Sequence, residues 1–142
     1  MESGKFIINE KKKVVVYSLT SKGQEFVACA KCGDADEFDV ERGKAIAGRR
    51  VDLAIRKRDI EQVRAVREKI AKIMRSEARR GNGPKAQCKL WMIYYNDAVR
   101  VENKHLAHIK LLKKELQDLY EGTFVPHQYD YLVNGETETK IN

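Results

Sequence analysis

The chain has 142 residues, 28 Lys and Arg against 21 Asp and Glu, and a formal net charge of +7. This length predicts a single domain with one core. The mean hydropathy is −0.59. No apolar segment approaches the roughly 20 residues that a membrane-spanning helix needs, so we predict that the chain does not cross a membrane.

The cysteines and the first residues indicate in which cellular compartment the protein is expected. No apolar segment follows Met1, so we predict no secretory signal. The three cysteines cannot all pair within one chain. We therefore expect reduced thiols and a cytoplasmic location.

The charge is unevenly distributed along the sequence. Residues 42–89 contain 16 basic and 5 acidic residues, a net +11, whereas the rest contains 12 basic and 16 acidic residues, a net −4. A basic middle with an acidic end suits an anionic ligand or head-to-tail contact between subunits.

The N-terminal part predicts an antiparallel β-meander. Three runs rich in strand-forming residues, at 6–8, 14–19 and 26–32, are separated by the polar stretches 9–13 and 21–23.

A long basic helical segment follows the predicted strands. We expect Asp36 to cap it, with Asp39 in its first turn, and apolar positions recur from Val40 to Met74. A single helix to Arg79 would be about 60 Å long, which is too long for a compact domain of this size. Residues 59–62 resemble a capping box, so we predict a break near residue 58. The alternative is an unbroken helix that projects or forms a dimer.

The segment after Gly81-Asn82-Gly83-Pro84 predicts a β-hairpin. Residues 87–95 and 98–102 form its strands, and residues 96–97 form its two-residue loop. This register predicts a core face made of Cys88, Leu90, Met92, Tyr94, Val99 and Val101. The open face then carries Lys89, Trp91, Ile93, Tyr95 and Arg100.

A C-terminal amphipathic helix completes the predicted elements. Its apolar stripe runs from Leu106 to Tyr120, and Gly122 ends it. Residues 123–142 are predicted to be a loosely docked tail. The fold class is therefore α+β, with the whole chain 1–142 as a single domain.

The motifs for metal binding and catalysis are weak. Cys29 and Cys32 have zinc-like spacing, but residues three apart on a strand point to opposite faces and no second such pair exists. His105 and His108 lack an acid in a familiar metal-binding pattern. No nucleophile with its base can be nominated. We therefore predict no metal and no cofactor, while the motifs alone leave an enzyme possible.

The basic middle and the aromatic residues after it carry the functional prediction. Arginines pair bidentately with phosphate, and flat rings stack on bases. The glycine-rich segment 81–85 could also hold a phosphate. The predicted ligand-binding residues are Arg49, Arg50, Arg56, Lys85, Trp91, Tyr95 and Asn96.

Residues 28–50 resemble a known family. They combine an A-x-C strand, a D-x-F-D helix start and a G-x-x-I-A-x-x-R helix. The residues that carry this pattern are Ala28, Cys29, Ala30, Lys31, Cys32, Gly33, Asp34, Ala35, Asp36, Glu37, Phe38, Asp39, Gly43, Ile46, Ala47, Arg49 and Arg50. The unit is similar to the double-stranded-RNA-binding-like strand-and-helix unit of small phage proteins, and most resembles the Thoeris anti-defence sponge proteins.

The resemblance implies a binding function without catalysis. Such sponges bind cyclic ADP-ribose-type immune signals in pockets at a subunit interface, and some also hold cyclic oligonucleotides within larger assemblies. The resemblance therefore implies a homo-oligomer in the host bacterial cytoplasm. Within this motif, Gly43 and Ala47 are expected to let the helix approach the sheet closely. The alternatives are a phage nucleic-acid-binding protein that uses the basic middle, and a purely structural helix-pairing protein.

Overall fold

The computed structural model describes residues 4–32, 37, 39–79, 86–121 and 137–141, with residues 86–88 and 137–141 described by their backbone. By its contacts the chain divides into two compact units. The first unit comprises residues 1–55 and 111–142, and the second comprises residues 56–110. Among the described residues, neither helix contains a stretch long and apolar enough to cross a membrane.

The predicted N-terminal meander is confirmed. Strands β1 (Gly4–Asn9), β2 (Val14–Ser21) and β3 (Gln24–Lys31) pair antiparallel in chain order. A two-residue turn joins β2 to β3, and both of its residues have positive φ, 52° at Lys22 and 77° at Gly23. These values are typical of the type I′ turn that suits the twist of a hairpin.

A fourth strand joins the sheet from the end of the chain. Strand β4 (Thr137–Ile141) pairs parallel to β1, and the strand order is β3-β2-β1-β4. These residues belong to the segment that the sequence predicts to be a loosely docked tail. The free edge of β1 supplies the unpaired backbone groups that a strand rich in threonine can use. Residues 123–136 and 142 of the predicted tail, and the predicted helix stop Gly122, lie outside the described residues.

The basic helix α1 (Val40–Arg79) is unbroken, so the predicted break near residue 58 is wrong. The Asp39 side chain caps it, since its Oδ1 accepts the Arg42 backbone N–H at 3.2 Å. Asp36, the predicted cap, lies outside the described residues. Asp59 does not cap a second helix, because its Oδ1 accepts from the Arg58 guanidinium at 2.9 Å and 3.1 Å.

The predicted β-hairpin is also wrong. Helix α2 (Ala86–Glu121) covers both of its strands, its loop and the predicted C-terminal helix without interruption. Residues two apart are about 200° apart around a helix, so they cannot share a face. Leu90, Met92, Tyr94 and Val101, assigned to a core face, are accordingly exposed.

The core of the first unit lies between the sheet and the first four turns of α1. It comprises the buried side chains Phe6, Ile8, Val15, Tyr17, Phe26, Ala30, Ala47 and Val51. Phe6 and Tyr17 are cross-strand partners whose ring centroids lie 4.4 Å apart. A Cβ atom at Gly43 would lie 2.7 Å from Val15 Cγ2, so the expected close approach at this position is confirmed.

The second unit is an antiparallel pair of helical segments from α1 and α2. Its interhelical contacts run in opposite order along the two segments: Arg56 meets His105, and Arg64 and Arg67 both donate to the Glu102 carboxylate. Glu102 is buried, so its two guanidinium partners compensate the loss of hydration.

Candidate functional site

The structure distributes the sequence-predicted ligand residues over both units. Arg49 and Arg50 belong to the first unit. The second unit contains Arg56, Trp91, Tyr95 and Asn96, while Lys85 lies outside the described residues.

Arg49 is a buried structural residue. Its Nε donates to Glu115 Oε2 at 2.6 Å, and its Nη1 donates to the Ala45 carbonyl at 3.4 Å. Only 5% of its side chain is exposed. The guanidinium therefore stabilises the contact between the two helical segments of the first unit, and we leave it out of the candidate site.

Arg50 is exposed and anchored at the edge of a cavity. Its Nε and Nη2 donate to the Tyr120 hydroxyl at 3.2 Å and 2.9 Å, and its Nη1 donates to the Cys29 carbonyl. The guanidinium carbon lies 5.5 Å from the centroid of the Tyr120 ring. These contacts fix the orientation of the guanidinium.

The cavity has a volume of about 490 Å³ and lies wholly within the first unit. It is bordered by the end of β3, the start of α1 and the last turn of α2, which meet because α1 packs across the sheet. Its lining includes three basic and two acidic side chains, and consists of Cys29, Ala30, Lys31, Cys32, Glu37, Asp39, Arg42, Gly43, Ile46, Arg50 and Tyr120.

Arg42 is the second guanidinium of the cavity. Its Nη2 donates to the Leu119 carbonyl and, at 2.9 Å, to the Tyr120 carbonyl, and so satisfies carbonyl groups at the end of α2. Its Nε is buried without a hydrogen-bond partner in the structure. Eight residues, a little over two helical turns, separate Arg42 from Arg50, so both lie along one side of α1.

One acid and one thiol of the cavity have local partners. Asp39 is occupied in capping α1, and Cys32 Sγ donates to the Glu37 carbonyl at 3.5 Å. Neither Cys29 nor Cys32 forms a disulfide bond in the part of the chain that the structure describes. Among the described residues, no group of three or more His, Cys, Asp and Glu side chains is arranged to hold a metal ion.

The predicted ligand-binding residues of the second unit each have their own neighbours. Arg56 Nη1 lies 3.2 Å from His105 Nδ1. Trp91 makes an edge-to-face contact with Tyr94, with centroids 5.7 Å apart, in an open apolar groove. Tyr95 is half-buried and Asn96 is exposed on α2. Neither the groove nor the cavity brings Trp91 or Tyr95 together with Arg50.

Sequence reasoning missed Lys31, Arg42 and Tyr120 as site residues. Tyr120 was assigned to the apolar stripe of a helix, and its contact with Arg50 joins positions 70 residues apart. A local signal did exist for the α1 part: Arg42, Ile46 and Arg50 recur every four residues, the spacing of one helix face.

Comparison with protein-family models, with curated proteins and with solved structures found no match to this chain.

Proposed function

We propose that this protein binds a small phosphate-bearing cyclic nucleotide in the cavity of the first unit and sequesters it without chemical conversion. The observation that carries the proposal is that Arg42, Arg50 and the Tyr120 ring line one cavity of about 490 Å³. This volume lies within the range of small-molecule sites.

The two arginines supply the phosphate-binding chemistry. Each guanidinium has five N–H donors, and the contacts described above use some on each side chain. The remaining donors can pair with phosphate oxygens, bidentately where the geometry allows. Because protein contacts already fix both guanidinium groups, a ligand loses less binding free energy to ordering them.

Tyr120 supplies a flat surface for a base. Tyr120 is 46% exposed, and the Arg50 guanidinium lies over its ring. Stacking of a base on an aromatic ring adds affinity without requiring a particular base. The Lys31 ammonium raises the positive charge at the same cavity.

The biological role follows from the resemblance of residues 28–50 to the Thoeris anti-defence sponges. In this role the protein acts in the host bacterial cytoplasm as a homo-oligomer, and its ligand is a cyclic ADP-ribose-type immune signal. Sequestration requires slow release, which oriented arginines and a preformed cavity favour.

The ion pairs of the second unit favour this proposal over a nucleic-acid-binding function. Arg64 and Arg67 share Glu102, and Arg75 pairs with Glu68 at 3.1 Å. Arginines held by carboxylates are less available to the phosphates of a duplex, so the formal charge of the basic middle overstates its phosphate-binding capacity.

The test is calorimetric titration of the protein with cyclic ADP-ribose, with ADP-ribose and inorganic phosphate as comparison ligands. We expect Arg50→Met to weaken binding of cyclic ADP-ribose at least tenfold and Arg50→Lys to weaken it less. Arg75 is an exposed arginine of the second unit. The variant Arg75→Met is therefore the matched control and should leave the affinity unchanged. Circular dichroism of each variant checks that the fold is retained.

Native mass spectrometry after heat release identifies what was bound. Recovery of intact cyclic ADP-ribose supports storage, whereas a hydrolysed product would indicate an enzyme and overturn the proposal. The proposal also fails if the wild type binds none of the three ligands, or if Arg75→Met weakens binding as much as Arg50→Met. Tight binding of duplex RNA instead would support the nucleic-acid alternative.

A further inference from the structure

The second unit has an exposed apolar face on one side of its helix pair. A groove runs along this face between the two helices. It is lined by Gln62, Val63, Val66 and Ile70 of α1 and by Trp91, Tyr94, Asp97, Ala98 and Val101 of α2. The exposed fractions are 52% at Val66, 45% at Tyr94 and 41% at Val101. Ile73 and Leu90 are also exposed, and helical spacing places each on the same side of its helix.

A cluster of ion pairs lies beside the groove on the same helix pair. Arg64 follows the groove residue Val63 by one position, and Arg67 follows Val66 by one position. One position turns a side chain about 100° around the helix axis, so both arginines point away from the groove. They pair with Glu102. The groove lining includes a single charged residue, Asp97, whose carboxylate lies 3.4 Å from the Arg100 guanidinium. The groove lining is therefore apolar apart from Asp97 and Gln62, and the ion pairs to Glu102 lie outside it.

The second unit buries few apolar side chains of its own. Its buried apolar residues among those described are Ile60, Ile70 and Ala98. Helices form stable domains when their apolar stripes are covered by another layer of structure. Val66, Tyr94 and Val101 are exposed along the groove, so a further helical layer would complete the packing of this face.

We infer that this groove face is the interface with a second copy of the chain, in which two helix pairs pack face to face as a four-helix bundle. The groove between the helices, bordered by the ridges of Val66, Tyr94 and Val101, can receive the same ridges of a second copy in a two-fold arrangement.

The distribution of charge favours a second copy as the occupant. The chain carries +7, so two copies repel each other wherever their basic surfaces meet. On the groove face, the one charged lining residue is balanced by Arg100, so two copies can meet there without like-charge repulsion. The inference does not depend on nucleotide binding.

Sedimentation velocity between about 1 and 200 µM, without ligand, measures the association. We expect the wild type to dimerise and Val101→Glu to raise the dimer Kd at least thirtyfold, because each interface then contains two unpaired carboxylates. Leu106→Glu is the matched control: Leu106 is 42% exposed on the same helix but lies outside the groove lining. That variant should dimerise like the wild type.

Hydrogen exchange of the wild type at the same two concentrations provides a test that does not depend on how the variants fold. Residues 62–73 and 90–101 should exchange more slowly at the higher concentration. The inference is overturned if the wild type stays monomeric at 200 µM, if both glutamate variants dissociate equally, or if the protected residues lie elsewhere. Binding of the monomer to phospholipid vesicles through this face would also overturn it.

Discussion

At the scale of single residues, Gly43 determines how closely the first turns of α1 approach the sheet. The position that a Cβ atom would take lies 2.7 Å from Val15 Cγ2, closer than two carbon atoms can approach without displacement. Val15 is fully buried in the core, so it has little room to move.

We therefore predict that Gly43→Ala destabilises the protein. Overpacking costs about 1–3 kcal/mol, which outweighs the gain of about 1 kcal/mol from replacing glycine in a helix. The same substitution in a Val15→Ala background should cost much less, because the clash is removed. Urea unfolding of the two single variants and the double variant measures this coupling, and strictly additive costs would contradict it.

The ion pair between Arg49 and Glu115 is a second residue-scale determinant. Glu115→Ala should lower the free energy of unfolding by about 3 kcal/mol, because it leaves a buried guanidinium without its carboxylate. The double variant Arg49→Met/Glu115→Met should recover most of the loss, since no unpaired charge remains. Chemical denaturation measures both variants, and a double variant as unstable as Glu115→Ala would argue against this role.

At the scale of elements, helix α2 shows how a local pattern can mislead. Its first half contains aromatic and β-branched residues whose alternation resembles a strand, and Asn96-Asp97 resembles a hairpin loop. Two features of the sequence favour a helix: no glycine or proline occurs from Ala86 to Glu121, and the supposed loop lacks the glycine typical of such turns. Continuity with the strongly amphipathic second half extends the helix.

Substitution of Asn96 distinguishes helix α2 from the predicted hairpin, because it should change the stability of the protein in opposite directions in the two structures. In the exposed helical position, Asn96→Ala should stabilise the protein by about 0.5 kcal/mol, because alanine has the higher helix propensity. In a hairpin loop with positive φ, the same change would be destabilising. Ser76→Ala, at an exposed position of α1, is the control and should give a gain of similar size in thermal or urea unfolding.

At the scale of the whole molecule, the net charge of residues 42–89 does not describe the surface that a ligand meets. Several basic side chains of this region are paired with carboxylates, some from α2, and Arg49 is buried. The sequence shows the excess of basic residues, but the folded chain determines which of them remain available.

This pairing predicts the salt dependence of duplex binding. Glu102→Gln should release Arg64 and Arg67, so that the log–log slope of duplex DNA affinity against salt becomes more negative by up to about 2. Glu61→Gln changes the formal charge equally at an exposed position and should alter the slope less. Fluorescence anisotropy over a salt series measures both slopes, and equal slopes would show that the ion pairs do not restrain these arginines.

The sequence by itself determined the α+β class, the three-stranded meander and the close approach at Gly43. These features depend on local periodicity, turn residues and residue size, which neighbours in sequence specify. Only the tertiary structure decided that α1 and α2 continue unbroken, that β4 pairs with β1, and which arginines border a cavity. Those outcomes depend on long-range partners, such as Glu115 for Arg49 and Tyr120 for Arg50, that no local pattern contains.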